Sequence, residues 1–80
     1  MSQIQMHDVV ALLEDVSTTH FETGQPLTLR RGEIGTVVMT YDGLVVDVEF
    51  AADDGRPYAI HPVHPGKLLI LHDPPDSAVA

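Results

Sequence analysis

Eighty residues with twelve Asp or Glu against four Lys or Arg, a net charge of −8, make a single small acidic domain with no length left for a second core. Such a surface repels phosphate backbones and anionic membranes, so neither nucleic acid nor membrane is an expected partner, whereas a basic protein surface is complementary to it. Cysteine is absent, which excludes disulfides and thiolate metal sites.

Residues 1–7 carry no Lys or Arg and no long apolar run, so they read as a loose arm rather than a secretory signal. No window approaches the roughly 20 apolar residues that span a bilayer, and a cytoplasmic protein is expected. Residues 8–14 are the first ordered element. Met6, Val9, Val10 and Leu13 fit helical spacing, while Val9, Ala11 and Leu13 fit strand alternation. The apolar run is short and no C-cap glycine follows, which favours a strand. Residues 14–26 are polar, with Thr18, Thr19, Gly24 and Pro26 around one apolar island, Phe21. They read as a long first loop, a place where function often resides.

Leu27-Thr28-Leu29 leads into a turn at Arg30-Arg31-Gly32-Glu33. Residues 34–41 are then a strand rich in β-branched residues, with Gly35 marking a bulge or a close backbone approach. Asp42-Gly43 is the strongest hairpin signal, because a type I′ turn needs positive φ at both central residues. Beyond it Leu44, Val46, Val48 and Phe50 alternate with Val45, Asp47 and Glu49, giving one buried face and one acidic, wet face. Asp53-Asp54-Gly55-Arg56 makes the next turn and Pro57-Tyr58-Ala59-Ile60-His61 a fourth strand. Pro62 and Pro65 lack donors, so residues 62–66 should sustain neither ladder nor helix beyond one 3₁₀ turn. Lys67-Leu68-Leu69-Ile70-Leu71 closes the fold, and residues 73–80 read as a flexible tail.

Five short strands with turn signals between them predict an all-β fold over residues 8–72, a small five-stranded SH3-like barrel with a long first loop. Phe21 is expected to fold back over its mouth. The elements Asp8-Val9-Val10-Ala11-Leu12, Arg31-Gly32-Glu33-Ile34-Gly35-Thr36-Val37-Val38, Val48-Glu49-Phe50 with Asp54-Gly55-Arg56-Pro57-Tyr58, and Leu69-Ile70-Leu71-His72 come in an order that resembles the bacterial DUF4926 family, common in cyanobacteria. The resemblance covers about residues 8–72. It implies a single SH3-like barrel and supplies no catalytic residues. The chain departs from the pattern in a longer first loop, residues 18–27, and in His61 and His64 of the closing turn. The glycine turn also looks somewhat like the KOW motif of ribosomal and transcription factors, but only Arg30 and Arg31 are basic there and the flanks are acidic.

The candidate chemistry is sparse. His61-Pro62-Val63-His64, with His72 or Asp73 as a third ligand, could hold Zn²⁺ or Ni²⁺. Two close ligands are too few for a site, so these histidines are read as solvated, and no metal or cofactor is expected. Asp47 and Glu49 could meet Asp8 or Glu14 across the sheet for acid–base work, but with no deep cleft they read as a solvated face. Arg30 and Arg31 are expected in intramolecular ion pairs. No nucleophile with a base, and no phosphate-cradling loop, is legible, so no enzyme is expected. Of the aromatic residues, Phe50 and one tyrosine should fill the core while the other tyrosine lies half exposed, leaving little for a polyproline groove.

The expectation is therefore a non-enzymatic protein-binding module, of antitoxin or immunity type, that neutralises a basic partner. His20, Phe21, Glu22, Asp47, Glu49 and Tyr58 are its expected contact residues. The alternatives are an accessory subunit of a larger enzyme or electron-transfer complex, and a self-associating domain whose 68–71 strand pairs across a homodimer axis.

Overall fold

A computed structural model describes residues 4–71 of the chain. In order these form β1 (Val9–Leu12), β2 (Val16–Thr19), β3 (Pro26–Leu29), β4 (Ile34–Tyr41), β5 (Val45–Ala51), β6 (Pro57–Val63), a 3₁₀ turn (Pro65–Lys67) and β7 (Leu68–Leu71). The class is all-β, as expected, and the 3₁₀ turn stands just before the last strand. The tail at 73–80, together with His72 and residues 1–3, lies outside the described residues.

The closed five-stranded barrel is not what these strands form. Five of them make one antiparallel sheet in the order β6-β5-β4-β1-β7, and β2 and β3 form a separate two-stranded ribbon. Within the described residues no pairing joins β6 to β7, so the sheet keeps two edges. The ribbon is the segment expected as a long loop. Val16↔Leu29 and Thr18↔Leu27 set its register, and β2 and β3 satisfy their ladder bonds with each other instead of extending the sheet. Val16-Ser17-Thr18-Thr19 are good strand formers, but their alternation is between hydroxyls and one valine, so hydrophobic patterning passes over them.

The central hairpin follows the sequence closely. Asp42 and Gly43 have φ of 53° and 76°, as a type I′ turn requires, and Leu44 N–H donates to Tyr41 C=O at 2.9 Å. Pairing resumes only at Tyr41↔Val45, so Leu44 is left in the turn, exposed, and the inward set of β5 begins at Val46 instead. Gly35 marks a close approach, not a bulge: a Cβ there would lie 2.6 Å from Val48 Cγ1 and 2.9 Å from Phe50 Cε2. The bulge falls at Val38, between the pairs Val37↔Val48 and Met39↔Asp47, and it reverses which residues of β4 face inward.

β6 runs two residues further than expected, through Pro62 and Val63. Tyr58 turns its carbonyl away from β5 to accept Phe21 N–H at 2.7 Å, and Pro62, four residues on, shares that phase. Its missing N–H therefore belongs to the outer edge, where proline costs the ladder nothing. The core sits on one face of the sheet, where the inward residues of its strands meet the ribbon. Phe50, Leu12, Leu29, Val10, Val37, Val46 and Val48 are fully buried there, Leu29 being the ribbon's contribution, and Tyr58, Ile70 and Ile4 pack against them.

Candidate binding surfaces

The ribbon tip and the start of β6 bring four of the six expected contact residues together. His20 Nδ1 accepts Glu22 N–H at 3.1 Å, which tightens the tip. Phe21 N–H binds Tyr58 C=O, and His61 Nδ1 lies 3.1 Å from Thr18 Oγ1. Glu22 Oε1 stands 3.9 Å from Arg56, a loose exposed pair worth little by itself. The ribbon thus docks along the outer edge of β6 by main chain and polar contacts. Phe21 does not fold back as expected: its backbone does the docking and the residue is 55% exposed.

Tyr58 is half-buried, and its hydroxyl donates to Glu33 Oε2 at 2.6 Å, pinning β6 to the turn before β4. Burial, reinforced by that carboxylate, pushes the phenol up from 10.0 to about 12. Phe50 in the core, Tyr58 against it and an exposed Tyr41 match the expected division of the aromatic residues.

Asp47 and Glu49 lie elsewhere, on the outer face of β5. Tyr41 donates its hydroxyl to Asp47 Oδ2 at 2.8 Å, and this hydrogen bond raises the Tyr41 pKa. The pairing with Asp8 or Glu14 that acid–base work would require is not made. Asp8 Oδ2 accepts Gln5 N–H, and Glu14 faces Lys67 Nζ at 3.1 Å. The ion pairs expected for Arg30 and Arg31 are also absent among the described residues; their backbone N–H groups are held instead, by Glu33 Oε1 and Asp15 Oδ1. With Arg56 and Lys67 already facing Glu22 and Glu14, no cation stands within 4.0 Å of Asp47 or Glu49 among the described residues.

The register shows what surrounds these two carboxylates. One outward row crosses the sheet as Ile60, Glu49, Thr36, Val9 and Leu71, and its neighbours are Pro62, Asp47 and Met39 on one side and Ile34, Ala11 and Leu69 on the other. Ile60, Val9, Leu71, Met39, Ile34 and Leu69 are all exposed. Reasoning from sequence assigned Asp47 and Glu49 to this face but missed its apolar members. The strand parity of 34, 69 and 71 could have found them, once β1 was known to pair with both β4 and β7.

Of the histidines in the closing turn, His64 caps the 3₁₀ turn, its Nδ1 accepting Gly66 N–H at 2.9 Å. His61 is engaged with Thr18, and no group of three potential metal ligands occurs among the described residues. His72 lies outside them. No described helix is long and apolar enough to cross a membrane.

The model of the domain of unknown function DUF4926 matches residues 6–70. The chain belongs to the DUF4926 family. The match takes in every strand and the whole outward face except Leu71, so both the ribbon dock and the acidic row lie in the DUF4926 domain itself. No curated protein and no solved structure matches the chain.

Proposed function

We propose that this DUF4926 protein is a non-enzymatic protein-binding module, with an SH3-like architecture, that neutralises a basic partner in the manner of an antitoxin or immunity protein. The sheet order β6-β5-β4-β1-β7, with a ribbon inserted after β1 and a 3₁₀ turn before β7, supports the architecture. One observation carries the function: among the described residues, Asp47 and Glu49 stand without a cationic partner, beside exposed Ile, Leu, Val and Met side chains. Water solvates bare carboxylates well and apolar side chains poorly, so a face that mixes them favours a partner offering both cations and apolar contacts. A nuclease or similar toxin presents a basic surface of that kind to its own substrate, and long-range attraction would speed its capture.

Affinity purification of the tagged protein from its native host, with partners identified by mass spectrometry, tests this. One stoichiometric small basic partner, whose toxicity is relieved on coexpression, is the expected result. Recovery of the subunits of one large assembly would replace it with an accessory-subunit role. A partner-free preparation with the mass of two chains would replace it with self-association.

A further inference from the structure

The two edges of the sheet differ in what they leave unpaired. On β7, Leu13 N–H donates to Lys67 C=O, so by alternation Lys67, Leu69 and Leu71 turn their backbone groups towards β1. Leu68 and Ile70 turn theirs outward. Leu68 N–H is satisfied by Pro65 C=O of the 3₁₀ turn. This leaves the Leu68 carbonyl and both the N–H and the carbonyl of Ile70 facing away from the sheet, and no described strand pairs with them. The usual protections of an edge are missing: β7 has no proline, no charge and no bulge in its four residues.

Beside this edge lies an open cleft of about 760 Å³, between Leu68 and Ile70 on one wall and Thr40, Asp42 and Val46 of the β4–β5 hairpin on the other, with Ile4 at its side. Asp42 is exposed at its rim and belongs to neither described ion pair. On the outer side of the same edge, Leu69 and Leu71 continue into Val9 and Ile34.

We propose that the free edge of β7 receives an extended, basic segment of the partner protein, which adds a sixth strand to the sheet. Its main chain would bond Ile70 and the Leu68 carbonyl, its apolar side chains would enter the cleft or cover Leu69 and Leu71, and its cations would meet Asp42. The charge of the occupant rests on the basic-partner reading above; the edge geometry does not. A second copy of the chain fits less well, because it would bring another net charge of −8 against the first.

The probe is a short synthetic peptide of alternating Val and Lys, titrated into ¹⁵N-labelled full-length protein. A second peptide is N-methylated along one edge, and a third has Glu in place of Lys. Saturable shifts centred on residues 68–71 and 42–43, slowed exchange of the Ile70 N–H, binding weakened roughly tenfold or more by N-methylation, and none by the Glu peptide are expected. Equal binding of the N-methylated peptide with shifts around Asp47 and Glu49 would overturn the edge proposal and leave the basic-partner reading standing. Failure of every peptide would overturn the edge proposal alone, since the basic-partner reading is tested by the purification from the native host. An Ile70 N–H already protected in the free monomer would overturn it in favour of cover by the chain's own segments, and protection confined to a species of two-chain mass would overturn it in favour of self-pairing.

Discussion

At one end of the sheet, β6 opens on Pro57, carries Pro62 on its outer phase, and has the ribbon laid along it by the Phe21–Tyr58 and His61–Thr18 contacts. At the other, β7 is four Leu and Ile residues whose outward backbone groups have no described strand against them. Both edges carry the same liability, a row of unpaired donors and acceptors, and only one of them is managed. Proline and a docked ribbon cost little where nothing need bind. An edge with no described strand against it, next to the exposed Asp42, is where a partner can gain main-chain hydrogen bonds.

The core beneath both edges is shared, so the largest effects should not distinguish them. Phe50→Ala empties the most voluminous fully buried position and is expected to cost about 3–5 kcal/mol, enough to unfold a domain this small. Chemical denaturation should show loss of both edges in one transition; a surviving structured half would break the idea of a common core. Gly35→Ala drives a methyl into Val48 and Phe50 and should cost about 1–3 kcal/mol, again felt on both sides of β4.

Tyr58→Phe sharpens the comparison. It removes the hydroxyl held by Glu33 and should cost about 1 kcal/mol. Hydrogen exchange at Phe21 N–H should accelerate while the amides of β7 are unaffected; equal acceleration at both would mean that the edges are not independent. The same phenol predicts a pH effect. The fold favours its neutral form, with a pKa raised from 10.0 to about 12, so this contribution to stability is complete below pH 10.0 and is lost as pH rises through about 12. Denaturation followed across that window should show a decline that Tyr58→Phe reduces.

The smallest expected effect on stability is at the bare edge. Leu69 points outward and is exposed, so Leu69→Lys should change stability by no more than about 0.5 kcal/mol. Placing a lysine there supplies the missing edge protection and repels a basic strand, so binding of the Val–Lys peptide should weaken several-fold while the thermal midpoint stays close to that of the parent. A large loss of stability instead would mean that Leu69 is already covered.

Local chemistry made much of the fold legible. The β4 boundaries, the Asp42-Gly43 turn, the inward series Val46, Val48 and Phe50, and the 3₁₀ turn after His64 all follow from propensity, positive φ or a missing donor, which act within a few residues. The ribbon was not legible, because Ser17, Thr18 and Thr19 give β2 no hydrophobic alternation to set against Thr28, Leu27 and Pro26 of β3. Leu44 was misassigned because apolar character alone does not say where a hairpin's pairing resumes.

The acidic row was half legible in the same way. The alternation of β5 puts Asp47 and Glu49 on the wet side, but their neighbours come from β1, β4, β6 and β7, brought alongside by pairings that link distant parts of the chain. By itself the sequence determined an all-β, acidic, cysteine-free domain and most of its turns, because those depend on short-range sterics and net composition. Only the tertiary structure decided that, among the described residues, the sheet stays open, β6 is protected and β7 has no strand against it, and that two carboxylates stand among exposed apolar side chains. Each of these is a matter of which strands pair, and pairing is set by the packing of the whole core.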